Sequence, residues 1–202
     1  MIETNFKNTE IGRIPQEWEV KALGEIAPLQ RGFDLPTKQI KEGSIPVVYS
    51  NGICSFHSVG LCEAPGLVTG RSGTIGHFTF IENGKYWPHN TSLWVTTFYN
   101  NDPKFVYYLY SHLKFENYLS GSGVPTLNRN YVHEIKTALP PLSEQTRIAT
   151  ALSNVDALIS ELGRLIEKKR AIKQGTMQQL LTGKKRLNGF NEPWAGKKLG
   201  EI

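Results

Sequence analysis

The spacing of apolar residues along the chain changes at Pro140-Pro141. Before this pair, apolar and aromatic residues form short runs at 45–49, 75–81 and 92–98. Asn, Gly and Ser separate the runs, and these residues favour turns between strands. This part of the chain therefore predicts several β-strands of uneven length.

One helix is expected among these strands. Asp102 is suited to cap its N-terminus, and Pro103 fits the first helical position. Apolar residues then recur with helical periodicity from Phe105 to Tyr118. Together with the short runs, this helix predicts an α+β domain over residues 27–141, with a mixed, irregular β-sheet and short helices.

After Pro141, the pattern predicts one long helix over residues 142–182. Ser143 can cap it, Glu144 lies in its first turn, and Gly183 ends it. Apolar residues follow at alternating spacings of four and three, which is the heptad pattern of a coiled coil. This seam comprises Ile148, Leu152, Val155, Ile159, Leu162 and Ile166. A helix of about 40 residues is roughly 60 Å long, so its seam needs a partner helix.

A short segment of the sequence occurs twice. Residues 12–26 and 188–202 share six identities in 15 positions at a fixed offset of 176, and both finish with Leu-Gly-Glu-Ile. A repeat at this period indicates two related units. We therefore divide the chain into a lead-in at 1–26, the α+β domain, the long helix, and the start of a second repeat unit at 183–202.

Composition and charge narrow the function classes. No apolar run reaches the roughly 20 residues that span a bilayer, and the polar, acidic start lacks the features of a secretory signal. Two cysteines are too few for a disulfide scaffold, so we expect a cytoplasmic protein without membrane contact. Residues 142–202 carry 11 Lys and Arg against 6 Asp and Glu, which accounts for the net charge of +5. This excess is compatible with nucleic acid and with a solvated helix face.

Residue types that carry chemistry do not form a catalytic or metal-binding pattern. The residues considered as metal ligands are Cys54, His57, Cys62 and His77. Their spacing matches no paired-ligand pattern. The segment Leu139–Leu142 lacks the leading Asn or Asp and the trailing aromatic residue of an amino-methyltransferase box. We therefore expect no enzyme activity from the chain alone, no cofactor and no metal.

Several short motifs occur in a fixed order along the chain. They are Pro15–Trp18, Leu23–Glu25, Arg31-Gly32, Tyr49–Ile53, Gly70–Gly76, Gly123–Asn128 and Leu139–Gln145. In this order, and together with the repeat, they resemble the specificity subunit of type I restriction–modification enzymes. In that family each subunit has two target-recognition domains, each followed by a long helix. Each domain recognises one half of a split DNA target, and the two helices pair antiparallel as a spacer.

The resemblance implies that residues 27–141 form one target-recognition domain and that residues 142–182 form one coiled-coil spacer helix. It also implies a non-catalytic subunit that binds double-stranded DNA. Such a subunit holds methyltransferase (modification) subunits, which carry out DNA methylation, and restriction subunits. Because the family's second half is missing here, we expect a homodimer in which a second copy pairs through antiparallel helices.

Polar residues on turns and glycine-rich loops are the candidate DNA contacts. Arg suits guanine or phosphate, and Asn suits adenine. The candidates are Arg31, Asn51, Arg71, Ser72, Thr74, His89, Asn90, Thr126, Asn128, Arg129 and Asn130. Structural alternatives stay open for several of them. The loop around Arg71 could be a plain hairpin, Asn51 a turn former, and residues 126–130 a solvated turn.

A second hypothesis explains the same sequence without DNA. In it the coiled-coil helix is the functional part, and the chain is an interaction module or an inhibitor that pairs with a full-length specificity subunit. The basic run Lys168–Arg170 fits both hypotheses, because it could contact phosphates or form a solvated helix face. DNA binding that weakens strongly with salt would favour the first hypothesis.

Overall fold

The computed structural model describes residues 5–120 and 125–201. The chain divides into two compact units, residues 1–152 and residues 153–202. The strands are β1 (Phe6–Thr9), β2 (Gly12–Pro15), β3 (Glu19–Ala22), β4 (Leu29–Arg31), β5 (Ile45–Tyr49), β6 (Gly52–His57), β7 (Cys62–Glu63), β8 (Gly66–Gly70), β9 (Phe78–Ile81), β10 (Lys85–Pro88), β11 (Ser92–Val95), β12 (Leu119–Ser120), β13 (Thr126–Leu127) and β14 (Lys136–Leu139). The helices are α1 (Leu23–Ile26), α2 (Pro103–His112), α3 (Arg129–Glu134) and α4 (Leu142–Leu180), with 3-10 turns at Thr37–Gln39, Phe115–Tyr118 and Leu199–Glu201.

Two four-stranded sheets form the larger part of the first unit, with strand orders β6-β5-β10-β7 and β4-β11-β8-β9. β5 and β10 run parallel, whereas the other neighbours in both sheets are antiparallel. Two-stranded pairings join β1 to β2, β12 to β13, and β3 to β14. The predicted α+β fold with a mixed, irregular sheet is therefore confirmed.

The main core lies between the second sheet and the helices. Tyr110 and Phe115 are fully buried there, and both pack edge-to-face against Phe78, with ring centroids 6.3 and 5.3 Å away. A smaller core between the two sheets includes Cys62 and Tyr86. Burial raises the pKa of the Cys62 thiol to about 11, so this thiol stays protonated at neutral pH.

The elements expected from local patterns are present, with shorter boundaries. The run at 45–49 is β5, whereas the runs at 75–81 and 92–98 contribute strands only at Phe78–Ile81 and Ser92–Val95. Residues 71–77 form a loop instead, in which Gly76 adopts a φ of +81° that a strand does not allow. The strand predicted from residue 75 is therefore wrong at its start.

The helix predicted after Asp102 is confirmed at its beginning. The Asp102 side chain accepts hydrogen bonds from the backbone N–H groups of Lys104 (2.9 Å) and Phe105 (3.0 Å). The helix ends at His112, earlier than the predicted Tyr118, and a separate 3-10 turn follows. The break lets Phe115 enter the core with no exposed surface, because a continuous helix would direct it along a different face.

The lead-in segment that we separated at residue 26 packs within the first unit. β3 pairs antiparallel with β14, with Ala22 opposite Lys136. Leu23 and Ile26 have no exposed surface and belong to the main core. Their apolar character explains this placement, since two large apolar side chains next to a folded domain gain about 1.5–3 kcal/mol each by burial.

The long helix α4 runs from Leu142 to Leu180. The backbone N–H groups of Glu144 and Gln145 donate to the carbonyl of Pro141 at 2.9 and 3.0 Å. Ser143 therefore lies inside the first turn and is not the cap that the sequence predicted. The chain leaves the helix near Gly183, whose φ of +71° is typical of a residue that ends a helix.

Beyond α4, the second unit contains the repeated segment. Arg186 lies over the ring of Trp194 at 5.5 Å and donates to the carbonyl of Glu192 at 2.7 Å. Leu199, which the repeat aligns with Leu23, is 94% exposed, whereas Leu23 is 0% exposed. The equivalent leucines of the two copies of the repeat therefore have different environments, one exposed and one buried.

Candidate nucleic-acid interface

The loop between β8 and β9 begins the candidate interface. Gly70 is required at this turn because a Cβ atom there would overlap the carbonyl oxygen of Thr74. Gly73 has a φ of +82°, a conformation that favours glycine. The segment connects the antiparallel strands β8 and β9, a geometry compatible with a plain hairpin and with a DNA-contacting loop. It presents the partly exposed Arg71 and Ser72 and the exposed Thr74.

Three of the predicted segments meet at Arg71. Its backbone N–H donates to the carbonyl of Thr91 at 2.9 Å, and its Nε donates to the carbonyl of Asn90 at 3.3 Å. The next residue, Ser72, forms an isolated antiparallel bridge with Thr126. The structure therefore brings together four predicted residues that lie up to 55 positions apart in the sequence.

The side chain of His89, directly after β10, is held by neighbouring residues. Its ring packs against Tyr49 with centroids 4.2 Å apart, and its Nδ1 lies 3.0 Å from Oγ1 of Thr91. Burial lowers the pKa of His89 below its usual value. The imidazole is therefore neutral at neutral pH and adds no positive charge to this surface.

Asp34 joins two of the predicted residues and was missed in the sequence analysis. Its Oδ1 lies 3.4 Å from Nη2 of Arg31 and accepts a hydrogen bond from Nδ2 of Asn90. The signal that could have indicated it is the acidic residue three positions after an arginine. Its contact with Asn90, 56 positions away, depends on the fold.

Asn51 lies in the turn between β5 and β6 and is exposed. Its Oδ1 accepts from the thiol of Cys54 at 3.2 Å, so part of the side chain serves the turn. The preceding residue, Ser50, is close to the glycine loop, because its carbonyl oxygen would lie 3.1 Å from a Cβ atom at Gly70. Asn51 therefore directly follows a residue that borders the loop of Arg71.

Within the segment 126–130, one side chain caps a helix and two side chains are exposed. Asn128 caps α3, since its Oδ1 accepts from the backbone N–H of Asn130 at 3.0 Å. Arg129 and Asn130 are exposed in the first turn of that helix. Residues 121–124, the glycine-rich part of this loop, lie outside the described residues. Of the four candidate DNA contacts here (Thr126, Asn128, Arg129 and Asn130), Asn128 is thus partly occupied by its capping role.

The helix α3 is fixed to β4 through His133. The Nε2 atom of His133 accepts a hydrogen bond from the backbone N–H of Leu29 at 2.8 Å. Burial lowers the pKa of His133, and the nearby Arg129 guanidinium lowers it further. The neutral ring can keep accepting this bond at neutral pH, which holds the first turn of α3 in place next to β4.

The predicted seam on α4 is exposed over most of its length. Ile148 is the exception, because it packs against the main core of the first unit. The remaining seam residues are 40–61% exposed and comprise Leu152, Val155, Ile159, Leu162 and Ile166. Leu158 and Leu165, on the same side, are also exposed. An exposed apolar stripe of this length is typical of an interaction surface.

The basic residues in the second half of α4 do not by themselves indicate one function. Lys168, Lys169 and Arg170 are exposed, and Arg170 pairs with Glu167 at 2.7 Å.

Among residues 5–120 and 125–201, no group of three or more His, Cys, Asp and Glu side chains is placed to hold a metal ion. Within the same residues, no helix combines the length and apolar character needed to cross a membrane.

A mixed α+β unit followed by a helix of 39 residues is an architecture that solved structures share. The S subunit of a type I restriction–modification system from M. genitalium superposes with a TM-score of 0.64, at 16% identity, over 89% of this chain and 46% of that chain. At this identity the likeness concerns the fold alone.

Sequence comparison identifies the family. The model of the type I restriction modification DNA specificity domain matches residues 15–174, and the chain belongs to this family. The type I restriction enzyme MjaIX specificity subunit of Methanocaldococcus jannaschii is 29% identical, over 78% of this chain and 42% of that protein. The MjaVIII specificity subunit of the same organism is 26% identical, over 99% and 52%. The chain thus spans about half the length of the curated relatives that it matches.

Proposed function

We propose that this chain recognises DNA sequence for a type I restriction–modification complex and carries no catalytic group itself. The observation that supports this most directly is the family match over residues 15–174. The match includes both the loops around Arg71 and most of α4. In this proposal the first unit recognises one half of a split target, and catalysis belongs to methyltransferase and restriction subunits that the chain scaffolds.

The loops that meet at Arg71 would form the DNA-binding surface. Arg31, Arg129 and the amide of Asn90 offer donors to guanine, adenine and phosphate groups, and all three are at least partly exposed. Arg129 stands on the first turn of a helix that His133 fixes to β4. A side chain on a fixed element loses less conformational entropy on binding, which favours specific contact.

The Arg129 contribution is testable by substitution. Arg129→Ala is expected to relax the target preference at one base position and to cost about 1–3 kcal/mol in binding. Arg13→Ala is the matched control, since Arg13 is an exposed arginine at the β1–β2 hairpin. Target preferences that are the same for both variants and for the unchanged protein would remove Arg129 from the recognition surface.

The seam on α4 would pair two copies antiparallel. The chain spans about half of its curated relatives, so two copies supply two recognition units. Five half-exposed seam residues on each of two helices would gain on the order of 10 kcal/mol by burial. Association costs about 4–15 kcal/mol, so pairing through the seam alone is of moderate strength. Methyltransferase subunits bound across both copies would strengthen it.

Oligomeric state tests this pairing. Ile159→Glu places a charge in the middle of the seam, whereas Ala157→Glu places the same charge on the opposite side of the helix. Sedimentation should show a dimer for the unchanged chain and for Ala157→Glu, and a monomer for Ile159→Glu. A dimer that persists in Ile159→Glu would show that another surface joins the copies.

A methylome tests the whole proposal. The chain would be expressed with its cognate methyltransferase subunit in a host without adenine methylation, and modified adenines would be mapped. The proposal expects a split motif with the same half-site on each side in inverted orientation. Absence of new methylation, although a complex with the methyltransferase subunit forms, would contradict DNA recognition by this chain.

The exposed seam also supports a second candidate, an interaction module or inhibitor that pairs with a full-length specificity subunit through α4. The two candidates differ in DNA binding. A recognition subunit loses DNA affinity steeply as salt increases, with a slope that grows by about one for each phosphate contacted. An interaction module binds no DNA at any salt concentration, even with methyltransferase subunits present.

A further inference from the structure

Asp34 is an acidic side chain in contact with two of the candidate DNA contacts, Arg31 and Asn90. Its carboxylate lies against Arg31 and accepts a hydrogen bond from Nδ2 of Asn90, yet its side chain is 72% exposed. A carboxylate here repels phosphate, so it lowers affinity for any DNA. Its position therefore requires a different explanation from attraction to the DNA backbone.

The backbone around Asp34 is fixed to the segment that carries Asn90. The N–H of Gly32 donates to the carbonyl of Ser92 at 3.0 Å, and the N–H of Phe33 donates to the carbonyl of Pro88 at 2.8 Å. Gly32 lies so close that a Cβ atom there would overlap the carbonyl oxygens of Pro88 and His89. The carboxylate therefore faces Asn90 because of backbone contacts rather than through a flexible side-chain pair.

The contact determines which way the Asn90 amide is turned. An ionised carboxylate accepts hydrogen bonds and donates none, so it favours the NH₂ end of the amide and repels the carbonyl end. One N–H of Asn90 is then used, while the other N–H and Oδ1 remain for a ligand. The Arg71 guanidinium fixes the backbone carbonyl of the same residue at 3.3 Å. One donor and one acceptor on the same amide are what bidentate recognition of adenine requires.

We infer that Asp34 is a positioning residue that sets the sequence preference of this surface by orienting the Asn90 amide and restraining the Arg31 guanidinium. This inference rests on the proposed function. Asp34 contacts no base in this role, and it trades general DNA affinity for discrimination between sequences. Removing its charge should raise the affinity for unrelated DNA. It should also lower the preference for the target sequence over unrelated DNA.

The test compares Asp34→Asn with the unchanged chain, each in complex with the methyltransferase subunit. Asparagine keeps the size but presents either end of its amide, so the orientation of Asn90 is no longer determined. Glu63→Gln is the matched control, because Glu63 is a similarly exposed carboxylate (76%) paired with Lys85 at the opposite end of β10. Affinities are measured for duplex DNA that contains the motif identified by the methylome and for unrelated duplex DNA, each at two salt concentrations.

We expect Asp34→Asn to bind unrelated DNA more tightly and to reduce the preference for the motif roughly 5- to 150-fold, the range for one bidentate contact. Glu63→Gln should leave the preference unchanged. Equal increases in affinity for motif DNA and unrelated DNA would mean that the Asp34 charge acts on phosphates alone. This result would overturn the inference. An unaltered preference in Asp34→Asn would overturn it as well. If the unchanged complex has no sequence preference, the proposed function fails first, and this inference falls with it.

Discussion

Replacing Gln145 with leucine tests how the beginning of α4 is fixed to the first unit. Gln145 is 2% exposed, although it is polar. Its Oε1 accepts from the backbone N–H of Asp102 at 3.0 Å. Its Nε2 donates to Oδ1 of Asn101 and to the carbonyl of Pro140, both at 2.9 Å. One side chain thus connects α4 with the cap of α2.

The expected loss follows from these three hydrogen bonds. Each contributes about 0.5–1.5 kcal/mol net, and each buried partner that is left unpaired costs about 1–3 kcal/mol. Leucine has a similar size and gains about 1–2 kcal/mol of apolar burial in return. The balance for Gln145→Leu is a destabilisation of about 3 kcal/mol, which corresponds to a fall in Tm of roughly 6–12 °C for a unit of this size.

Urea unfolding followed by circular dichroism measures this change. Gln174→Leu, an exposed glutamine in the same helix, is the control and should change stability by less than about 0.5 kcal/mol. A loss below about 1 kcal/mol for Gln145→Leu would refute the reasoning. It would mean that the three partners reach other donors and acceptors once the amide is removed.

Three further changes have defined outcomes. Tyr110→Phe removes a buried hydroxyl that donates to the carbonyls of Leu23 (2.9 Å) and Ala27 (2.7 Å), so urea unfolding should show a loss of about 1–2 kcal/mol. Gly32→Ala introduces the Cβ overlap described above, so it should cost about 1–3 kcal/mol in a thermal melt and lower the preference for the target motif through the displaced Asp34. His133→Gln should reduce the pH dependence of stability. Because the pKa of His133 is lowered in the folded chain, the unfolded chain takes up the proton first, and stability falls as pH drops through about 6.5. The glutamine variant should lose less stability between pH 7.5 and pH 5, and an identical pH profile would contradict this assignment.

Local signals in the sequence were sufficient for several elements. Asp102 followed by Pro103 predicted a helix start that the capping hydrogen bonds confirm. The run at 45–49 became β5, and the periodic stretch after Pro141 became α4. In each case a few neighbouring residues contain the whole signal, since capping, turn formation and helical periodicity act over short distances.

Elements that depend on distant partners were less predictable. Leu23 and Ile26 looked like part of a separate lead-in, but β3 pairs with β14, and both side chains enter the core. Asp34 was missed because its contact with Asn90 exists only after β4 and β10 have been brought together. The eleven candidate contacts were chosen by residue type and loop position. Their assignment to DNA stays a prediction.

The pairing of β3 with β14 also has a consequence for biosynthesis. Ala22 lies opposite Lys136, so more than a hundred residues must be made between the two strands. At about 5–20 residues per second, this interval lasts roughly 6–23 s. During that time Leu23 and Ile26 lack part of their final surroundings and stay available to chaperones. The first unit can close only when β14 has left the ribosome. The exposed apolar residues of α4 are translated next, so they leave the ribosome while the first unit is still completing its fold.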